Sequence, residues 1–223
     1  MKFSLDADLY TDIIHKLPVY GLEYVPWLVN EVDNLSDPPL FSIADRPVQD
    51  FSVDNLRVLK EELLRLRPRT ILEIGVNVDR KNLDKSSTGV LLANKIRSAL
   101  YIGVDMVDKS YLAVDGSIQL VKGDSADSRP VQGILVGRQL DLIVIDGYHS
   151  VKQVLADWQY VQWLSGAGTV VMHDVNVHPG PYLVFNAIDR KMFDCVKYGS
   201  WTGDWGIGIA RSNKDWRLDE MFI

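Results

Sequence analysis

Acidic side chains and imidazoles collect at two points in the second half of the chain, each directly after an apolar run with the pattern of a buried strand. In chain order these residues are Asp146, His149, His173, Asp174 and Asn176. An amphipathic segment of helical length separates the two clusters, which indicates a β-α-β unit. Because the carboxyl ends of strands line the ligand crevice in open parallel sheets, the clusters lie where chemistry is usually done.

The residue types indicate a metal-assisted, base-catalysed reaction. A hard divalent ion such as magnesium binds carboxylate and amide oxygens and lowers the pKa of a bound hydroxyl. An imidazole has an unperturbed pKa of about 6.5 and is a suitable proton acceptor, so Asp146 and His149 are the candidate catalytic residues. A second interpretation of His149 stays open, because it directly precedes Ser150 and could cap a helix that starts there.

A transition-metal site is an alternative interpretation of the same region. Two histidines and a carboxylate can hold iron or zinc. The available side chains are Asp146, His149, His173, Asp174 and His178. Against this interpretation, alternation along a strand should turn His173 and Asp174 to opposite faces, which favours a structural role for His173.

Composition places the chain among ordinary α/β proteins. Its 223 residues are 47% hydrophobic and 24% charged, enough for one domain with an added segment. The net charge of -6 argues against a nucleic-acid partner, because binding phosphates needs a positive face. The single cysteine, Cys195, permits no internal disulfide, and the N-terminal residues lack the apolar core of a secretory signal. No apolar run approaches the roughly 20 residues of a membrane span, so we expect a cytoplasmic protein without a membrane partner.

From residue 53 onward, helical and strand periods alternate, which is typical of a doubly wound, mostly parallel α/β sheet. The predicted strands are Thr70–Val76, Leu100–Val104, Ile118–Val121, Leu140–Ile145, Gly168–Met172, Asp194–Tyr198 and Trp205–Ala210. A turn-rich segment joins the last two, so the seven-stranded sheet should end in an antiparallel hairpin. Residues 1–52 show no long period and are predicted to form an N-terminal helical cap and extended loop, with the α/β domain over 53–223.

The ends of the first two strands favour a nucleoside that carries positive charge. A dinucleotide-binding loop needs Gly-x-Gly-x-x-Gly, whereas here only Gly75 precedes a charged loop over residues 77–85, so NAD is disfavoured. Glu73 suits a cationic group, and Asp105 at the end of the second strand suits ribose hydroxyls.

The order of the short motifs resembles that of the class I S-adenosylmethionine-dependent methyltransferases. The motifs are Leu-Glu-Ile-Gly, Ile-Gly-Val-Asp, Lys-Gly-Asp-Ser, Val-Ile-Asp-Gly-Tyr-His and Met-His-Asp. The subgroup with Ile-Asp-Gly-x-His and His-Asp is related to metal-dependent small-molecule O-methyltransferases. By this resemblance S-adenosylmethionine is the cofactor, Glu73 and Gly75 line its methionine part, Asp105 holds its ribose, and Asp124 with Ser125 flanks its adenine.

The resemblance also makes Asp146 and Asp174 ligands of a metal ion, or residues that hold the substrate. The metal-dependent relatives place an asparagine directly after the second aspartate, whereas here Val175 intervenes. If the strand continued, Asp174 and Asn176 would share a face, so Asn176 is predicted as a third ligand of magnesium. His149 falls where those relatives have a lysine base.

The favoured hypothesis is therefore methylation of a hydroxyl on a small molecule or sugar, assisted by a divalent ion such as Mg²⁺. A metal-dependent oxygenase or hydrolase on the same fold is one alternative. A non-catalytic binding module is another, which the missing glycines of the first loop favour. Either a monomer or a homo-oligomer is compatible with the sequence.

Overall fold

A seven-stranded sheet with helices on both faces forms the centre of the computed structural model. Residues 21–23, 53–78, 85–199 and 205–213 are described. Most of the predicted N-terminal cap, the charged segment 79–84, the turn of the C-terminal hairpin and the domain boundary at residue 52 lie outside these ranges. Within these ranges, no helix is long and apolar enough to cross a membrane.

Helices and strands alternate along the described chain, as the sequence periods predict. The strands are β1 (Thr70–Ile74), β2 (Leu100–Asp105), β3 (Ile118–Lys122), β4 (Leu140–Ile145), β5 (Leu164–His173), β6 (Phe193–Tyr198) and β7 (Ile207–Ser212). The helices are α1 (Val53–Leu66), α2 (Ser87–Asn94), α3 (Arg129–Leu135), α4 (Val151–Trp158) and α5 (Pro179–Ala187). Two short 3₁₀ segments, Ser110–Leu112 and Gln159–Trp163, follow β2 and α4.

The strand order is β3-β2-β1-β4-β5-β7-β6. The five strands from β1 to β5 run parallel, and β7 pairs antiparallel with both β5 and β6. The predicted doubly wound sheet with an antiparallel finish is therefore confirmed. The order reverses between β1 and β4, and the carboxyl ends of strands at such a point form the ligand crevice of open α/β sheets.

Alternating side chains divide the core between the two faces of the sheet. On one face, Ile71 of β1 and Val171 of β5 belong to an apolar cluster with α1 and α2. On the other face, Leu72 and Met172 belong to a larger cluster with α3, α4 and α5. Because side chains alternate along a strand, polar residues placed on the first face at the strand ends point toward α1 and α2.

Serine side chains set the starts of two helices next to the crevice. Ser86 Oγ accepts a hydrogen bond from the Gly89 N–H at 3.1 Å, at the start of α2. Ser150 Oγ accepts one from the Gln153 N–H at 3.1 Å, at the start of α4. Each bond satisfies a backbone donor that the helix itself cannot pair. Ser150 therefore fills the capping role that the sequence left open for His149.

Two helices end earlier than their apolar periods suggest. Apolar residues recur at helical spacing from Val151 to Leu164, but α4 ends at Trp158 and continues as the 3₁₀ segment, and α5, which the sequence pattern extends to near Lys191, ends at Ala187. After α5 the chain pairs with residues 21–23: Leu22 bridges Ile188, and the Asp189 N–H donates to the Gly21 carbonyl at 2.8 Å. This pairing requires extended backbone, which ends the helix.

Candidate active site

The carboxyl ends of β4 and β5 bring two acids and one histidine into contact. Asp146 directly follows β4, and His173 is the last residue of β5. His173 Nδ1 lies 3.0 Å from Asp146 Oδ1 and 3.0 Å from Asp174 Oδ1. The side chains are 8%, 3% and 5% exposed for Asp146, His173 and Asp174 respectively. One imidazole therefore stands between two buried carboxylates.

The backbone turns sharply at Asp174, and this turn makes the contact. Asp174 has φ +62°, in the left-handed region that costs a residue with a side chain about 1–2 kcal/mol. The N–H groups of Val177 and His178 close the turn by donating to the Asp174 carbonyl at 3.1 and 3.2 Å. The expectation that His173 and Asp174 face opposite sides is wrong, because it assumed a strand that continues beyond His173.

His149 approaches the same carboxylate from the loop before α4. Its Nε2 lies 2.9 Å from Asp174 Oδ2 and 4.0 Å from Asp146 Oδ1. The His178 ring lies 4.2 Å from the His149 ring, centroid to centroid, and Trp205 stacks on His178 at 5.3 Å. Asp174 therefore offers one oxygen to His173 and the other to His149.

Burial and mutual charge set the protonation of these groups. Burial raises the pKa of Asp146 despite the opposing charge of His173. Burial also acts to raise the pKa of Asp174, but His173 and His149 outweigh it and hold that pKa well below its usual range. For His173, the charges of Asp174 and Asp146 outweigh burial and raise the pKa to about 10, so the ring is cationic at neutral pH. Burial and the charge of His149 lower the pKa of His178 to about 4, which keeps that ring neutral.

Two sets of three side chains are close enough to hold a metal ion. One set is Asp146, His173 and Asp174, and the other is His149, Asp174 and His178. Within each set the ligand atoms lie within 4.8 Å of one another. The structure thus brings together all of the residues considered for a transition-metal site, with Asp174 in both sets.

Gly75 and Asp105 lie at the neighbouring ends of β1 and β2. Gly75 has φ +83°, and a Cβ atom there would fall 2.1 Å from the carbonyl oxygen of Asp146, so only glycine fits. Asp105 Oδ2 accepts from the Val76 N–H at 3.0 Å, and its Oδ1 accepts from the Val107 N–H at 2.6 Å. A carboxylate has about four acceptor positions, so Asp105 can accept further donors such as ribose hydroxyls.

Glu73 is fully buried between β1, β2 and α2. Its Oε2 accepts hydrogen bonds from Thr88 Oγ1 at 2.8 Å and from the Tyr101 hydroxyl. Burial raises its pKa to about 7, although hydrogen bonds from Ser87, Tyr101 and Thr88 oppose the rise. Glu73 thus ties α2 to the sheet, and its predicted contact with the methionine part of a cofactor stays a prediction.

Asp124 and Ser125 follow β3 and connect this loop to α4. Asp124 Oδ1 accepts from the Ala126 N–H at 2.9 Å. Ser125 Oγ donates to Asp157 Oδ1 at 2.6 Å and accepts from Gln153 Nε2 at 2.8 Å. Burial raises the pKa of Asp157 to about 7. These bonds fix the loop in place, and its contact with adenine stays a prediction.

Asn176 is held by the segment that enters β7. Its N–H donates to the Trp205 carbonyl at 3.0 Å, and a Cβ atom on Gly206 would fall 2.4 Å from Asn176 Nδ2. Its side chain is buried at 2% exposure. Asn176 therefore packs behind the turn at Asp174, and its role as a metal ligand stays a prediction.

A cavity of about 430 Å³ joins the two halves of this region. Its lining residues are Gly75, Val76, Asn77, Asp105, Asp146, His149, His173, Asp174, His178 and Trp205. Gly75 and Asp105 contribute one side, and the acids and imidazoles contribute the other. A ligand in this cavity could contact both groups of side chains.

Comparison with known proteins agrees with this architecture. A family model for a methyltransferase domain matches residues 80–175. An O-methyltransferase from Bacillus cereus, in complex with SAH, has a TM-score of 0.53 and 15% identity, with 94% of this chain and 93% of that chain covered. TomG, an O-methyltransferase from Streptomyces achromogenes in complex with SAM, has a TM-score of 0.54 and 13% identity, with 93% and 99% covered.

A third similar structure is the MycE methyltransferase from the mycinamycin biosynthetic pathway, in complex with Mg, SAH and mycinamycin VI. Its TM-score is 0.52 at 15% identity over 71% of this chain, and the chain spans 49% of MycE. No curated protein matches the chain by sequence.

The match to the family model agrees with the strand order and with the antiparallel β7. Residues 80–175 match a methyltransferase domain, and the described residues have the fold of the similar O-methyltransferases. The resemblance seen in the short motifs is confirmed for this domain match and for the fold.

Two polar residues near the candidate site, Asn55 and Asp157, follow no motif in the sequence. Asn55 Nδ2 on α1 lies 3.4 Å from His173 Nε2, and Asp157 on α4 bonds the loop after β3. Asn55 is 1% exposed and Asp157 is fully buried. Both residues lie among apolar residues on a helix face, and this position was the available signal. A polar side chain buried there nearly always has a hydrogen-bond partner, which points to a polar cluster nearby.

Proposed function

We propose that this protein is a methyltransferase that transfers a methyl group from S-adenosylmethionine to a hydroxyl of a small molecule or sugar, with help from a divalent ion. The shared cavity carries the proposal, because Gly75 and Asp105 line one side while Asp146, His149 and Asp174 line the other. Reactants held on the two sides would meet in an oriented pair, which removes much of the entropic cost of reaction.

The residues at the ends of β1 and β2 fit the cofactor. Gly75 allows the end of β1 to pack against the backbone of Asp146, and it lines the cavity where the cofactor would lie. Asp105 is fixed by two backbone N–H groups and retains acceptor capacity for ribose hydroxyls. When bound, S-adenosylmethionine supplies an electrophilic methyl group on a positively charged sulfur.

The donor set after β4 and β5 fits a divalent ion. Asp146 and Asp174 converge on one nitrogen of His173, whose positive charge lies between them. Carboxylate oxygens are the ligands that a hard ion such as Mg²⁺ prefers, so these two acids could hold it. Asn176 is the proposed third ligand. When bound, the ion would lower the pKa of an acceptor hydroxyl.

His149 is the proposed base. Its Nε2 lies 2.9 Å from Asp174 Oδ2, so the carboxylate can stabilise the ring once it carries a proton. With both reactants bound, the acceptor hydroxyl would give its proton to the His149 imidazole, and the cofactor would supply the methyl group to the hydroxyl oxygen while its sulfur retained the electron pair of the broken bond. Asp174 then stabilises the imidazolium.

The nature of the acceptor is supported by the cavity wall and by the similar structures. His178 and Trp205 stack at 5.3 Å and present flat rings on which a cyclic acceptor can pack. TomG is involved in tomaymycin synthesis, and MycE is in complex with mycinamycin VI. Both facts favour a small molecule over a macromolecule as acceptor.

Isothermal titration with S-adenosylhomocysteine, with and without Mg²⁺, tests this proposal. We expect micromolar binding and, with an identified hydroxyl acceptor, turnover that rises with Mg²⁺. An absence of binding under both conditions would contradict the cofactor. Turnover that neither Mg²⁺ nor a chelator changes would contradict the metal.

A further inference from the structure

We propose that His149, Asp174 and His178 form a second metal site in the cavity, which binds a transition-metal dication of the zinc class. It shares Asp174 with the hard-ion ligands of the proposed function and otherwise uses different side chains.

The spacing of the three side chains suits such an ion. Their ligand atoms lie within 4.8 Å of one another, and His149 Nε2 is 2.9 Å from Asp174 Oδ2. Two ligands at about 2.1 Å from a tetrahedral zinc ion are about 3.4 Å apart, so only small side-chain movements are needed.

The chemistry of this set differs from that of the neighbouring carboxylate pair. Two imidazoles with one carboxylate suit zinc, iron and nickel, whereas magnesium prefers oxygen ligands. The two ends of Asp174 separate the sites, because Oδ1 faces His173 and Oδ2 faces His149. The two sets can therefore select different ions.

Backbone contacts hold both histidines in place without any ion. The Gly180 N–H donates to the His149 carbonyl at 3.0 Å, and a Cβ atom on Gly180 would fall 2.3 Å from that oxygen. The His178 N–H donates to the Asp174 carbonyl at 3.2 Å. The three ligands therefore lie on segments whose relative positions are fixed, which reduces the ordering cost of metal binding.

All three side chains line the cavity, so an ion and a ligand of its open coordination position could both reach the site. One consequence rests on the proposed function. An ion bound by His149 removes the base, so zinc would inhibit methyl transfer over the same concentrations at which it binds.

Direct metal titration tests the proposal without cofactor or acceptor. The chelator-treated full-length protein is titrated with Zn²⁺ by calorimetry and with Co²⁺ by visible absorption. We expect one zinc equivalent with intense cobalt bands of low coordination number. Because no turnover is measured, failure of the proposed methyl transfer would leave this result unaffected.

Two variants distinguish the sites. His178→Ala removes a ligand of the proposed zinc site alone, and Asp146→Asn removes a ligand of the carboxylate pair alone. Loss of groups that merely support a ligand already costs about 10- to 100-fold in metal affinity, so His178→Ala should weaken zinc binding at least about 10-fold. Asp146→Asn should change it less than about 3-fold, a smaller effect than loss of a supporting group.

Controls address folding and unspecific binding. His178→Gln keeps a polar side chain against Trp205, and circular dichroism on both His178 variants checks that they are folded. His15→Ala removes the imidazole that belongs to neither set of metal-binding candidates and should leave zinc affinity unchanged. Zinc affinity within about 3-fold of wild type in both folded His178 variants, or equal losses in the His178 and Asp146 variants, would overturn the proposal.

Discussion

Helix α1 contacts strand β5 at two places, and the two contacts have different chemistry around them. Near the start of α1, Asn55 Nδ2 lies 3.4 Å from His173 Nε2. Two turns later, Glu62 Oε1 accepts a hydrogen bond from Thr169 Oγ1 at 3.2 Å. Both places bury carboxylates beside cationic groups, and the His173 end lines the cavity.

At the Glu62 end, the cations are arginines. Arg211 Nη2 lies 2.9 Å from Glu62 Oε2, and Arg65 Nη2 lies 2.5 Å from Glu62 Oε1. Burial acts to raise the pKa of Glu62, but hydrogen bonds from Arg65 and Arg211 outweigh it and lower the pKa to about 2. Since arginine stays charged at every accessible pH, this cluster keeps one state and can only contribute stability.

At the His173 end, the cationic groups are imidazoles. An imidazole can give up its proton, bind a metal ion or accept a proton from a substrate. Asp146 and Asp174 depend on such groups for their compensating charge. Burial is therefore common to both clusters. The cationic group that pairs with the buried acid, arginine or imidazole, distinguishes a structural cluster from a reactive one.

The largest effect is expected from Asp174→Asn, which removes one of the two carboxylates that contact His173. We expect turnover to fall by about 100-fold or more and its Mg²⁺ dependence to disappear, because a neutral amide binds a metal ion more weakly than a carboxylate and lacks the charge that stabilises the His149 imidazolium. Steady-state methyl transfer on an identified acceptor measures this. Asp194→Asn, at a side chain that is 64% exposed, is the control. Wild-type rates of methyl transfer in both Asp174→Asn and Asp146→Asn would contradict the metal mechanism.

Glu62→Gln removes the carboxylate that pairs with Arg65 and Arg211. It should lower stability and leave activity unchanged, the opposite of the effect expected from Asp174→Asn. Removing one partner of a buried ion pair costs about 3–5 kcal/mol, but Arg211 is 26% exposed, so we expect about 2–3 kcal/mol of lost stability. Activity of the folded variant should be unchanged. Urea unfolding at pH 7 measures the loss.

The pH dependence of that loss has a definite sign. The folded-state pKa of Glu62 is about 2, below the ordinary value of 4.5, so its contribution is complete above pH 4.5 and disappears as pH falls toward 2. The difference in unfolding free energy between wild type and Glu62→Gln should therefore shrink with acid. A difference that stays constant down to pH 2 would contradict this account.

Much of the reactive end is predictable from sequence because it follows strand ends. Asp105, Asp146 and Asp174 each come after an apolar run, and parallel topology places those ends at one crevice. The five parallel strands were predictable from their apolar runs, since buried parallel strands are near-continuous apolar runs.

The turn at Asp174 was not predictable, because no glycine or proline marks its left-handed backbone. Without that turn, alternation separates His173 from Asp174 and hides the cluster. Glu62 was equally hidden, because its partner Arg211 is 149 residues away and no local pattern links them. Long-range pairing of polar groups is the part that sequence periodicity does not encode.

Asp105→Ala tests whether the Asp105 carboxylate, which backbone N–H groups hold at the cavity, binds the cofactor. We expect S-adenosylhomocysteine to bind about 1–3 kcal/mol more weakly, because bonds to ribose hydroxyls are lost. Calorimetry measures the affinity, and Asp108→Ala, an exposed acid in the same loop, is the matched control. Unchanged affinity would remove Asp105 from the cofactor site and leave it a structural acid like Glu62.

The smallest effect is expected at Asp157, a fully buried acid with no cationic partner among its hydrogen bonds in the described residues. Ser125 and Gln153 bond its carboxyl group, and burial raises its pKa to about 7 from an ordinary value of 3.8. The folded state therefore holds a proton that the unfolded state releases, so stability should fall as pH rises from about 4 to about 7, opposite to Glu62. Asp157→Asn should remove this slope and gain on the order of 1 kcal/mol relative to wild type between pH 5 and pH 7. Parallel stability curves for the two proteins, measured by urea unfolding, would show instead that Ser125 and Gln153 stabilise the ionised carboxylate as well as an arginine does.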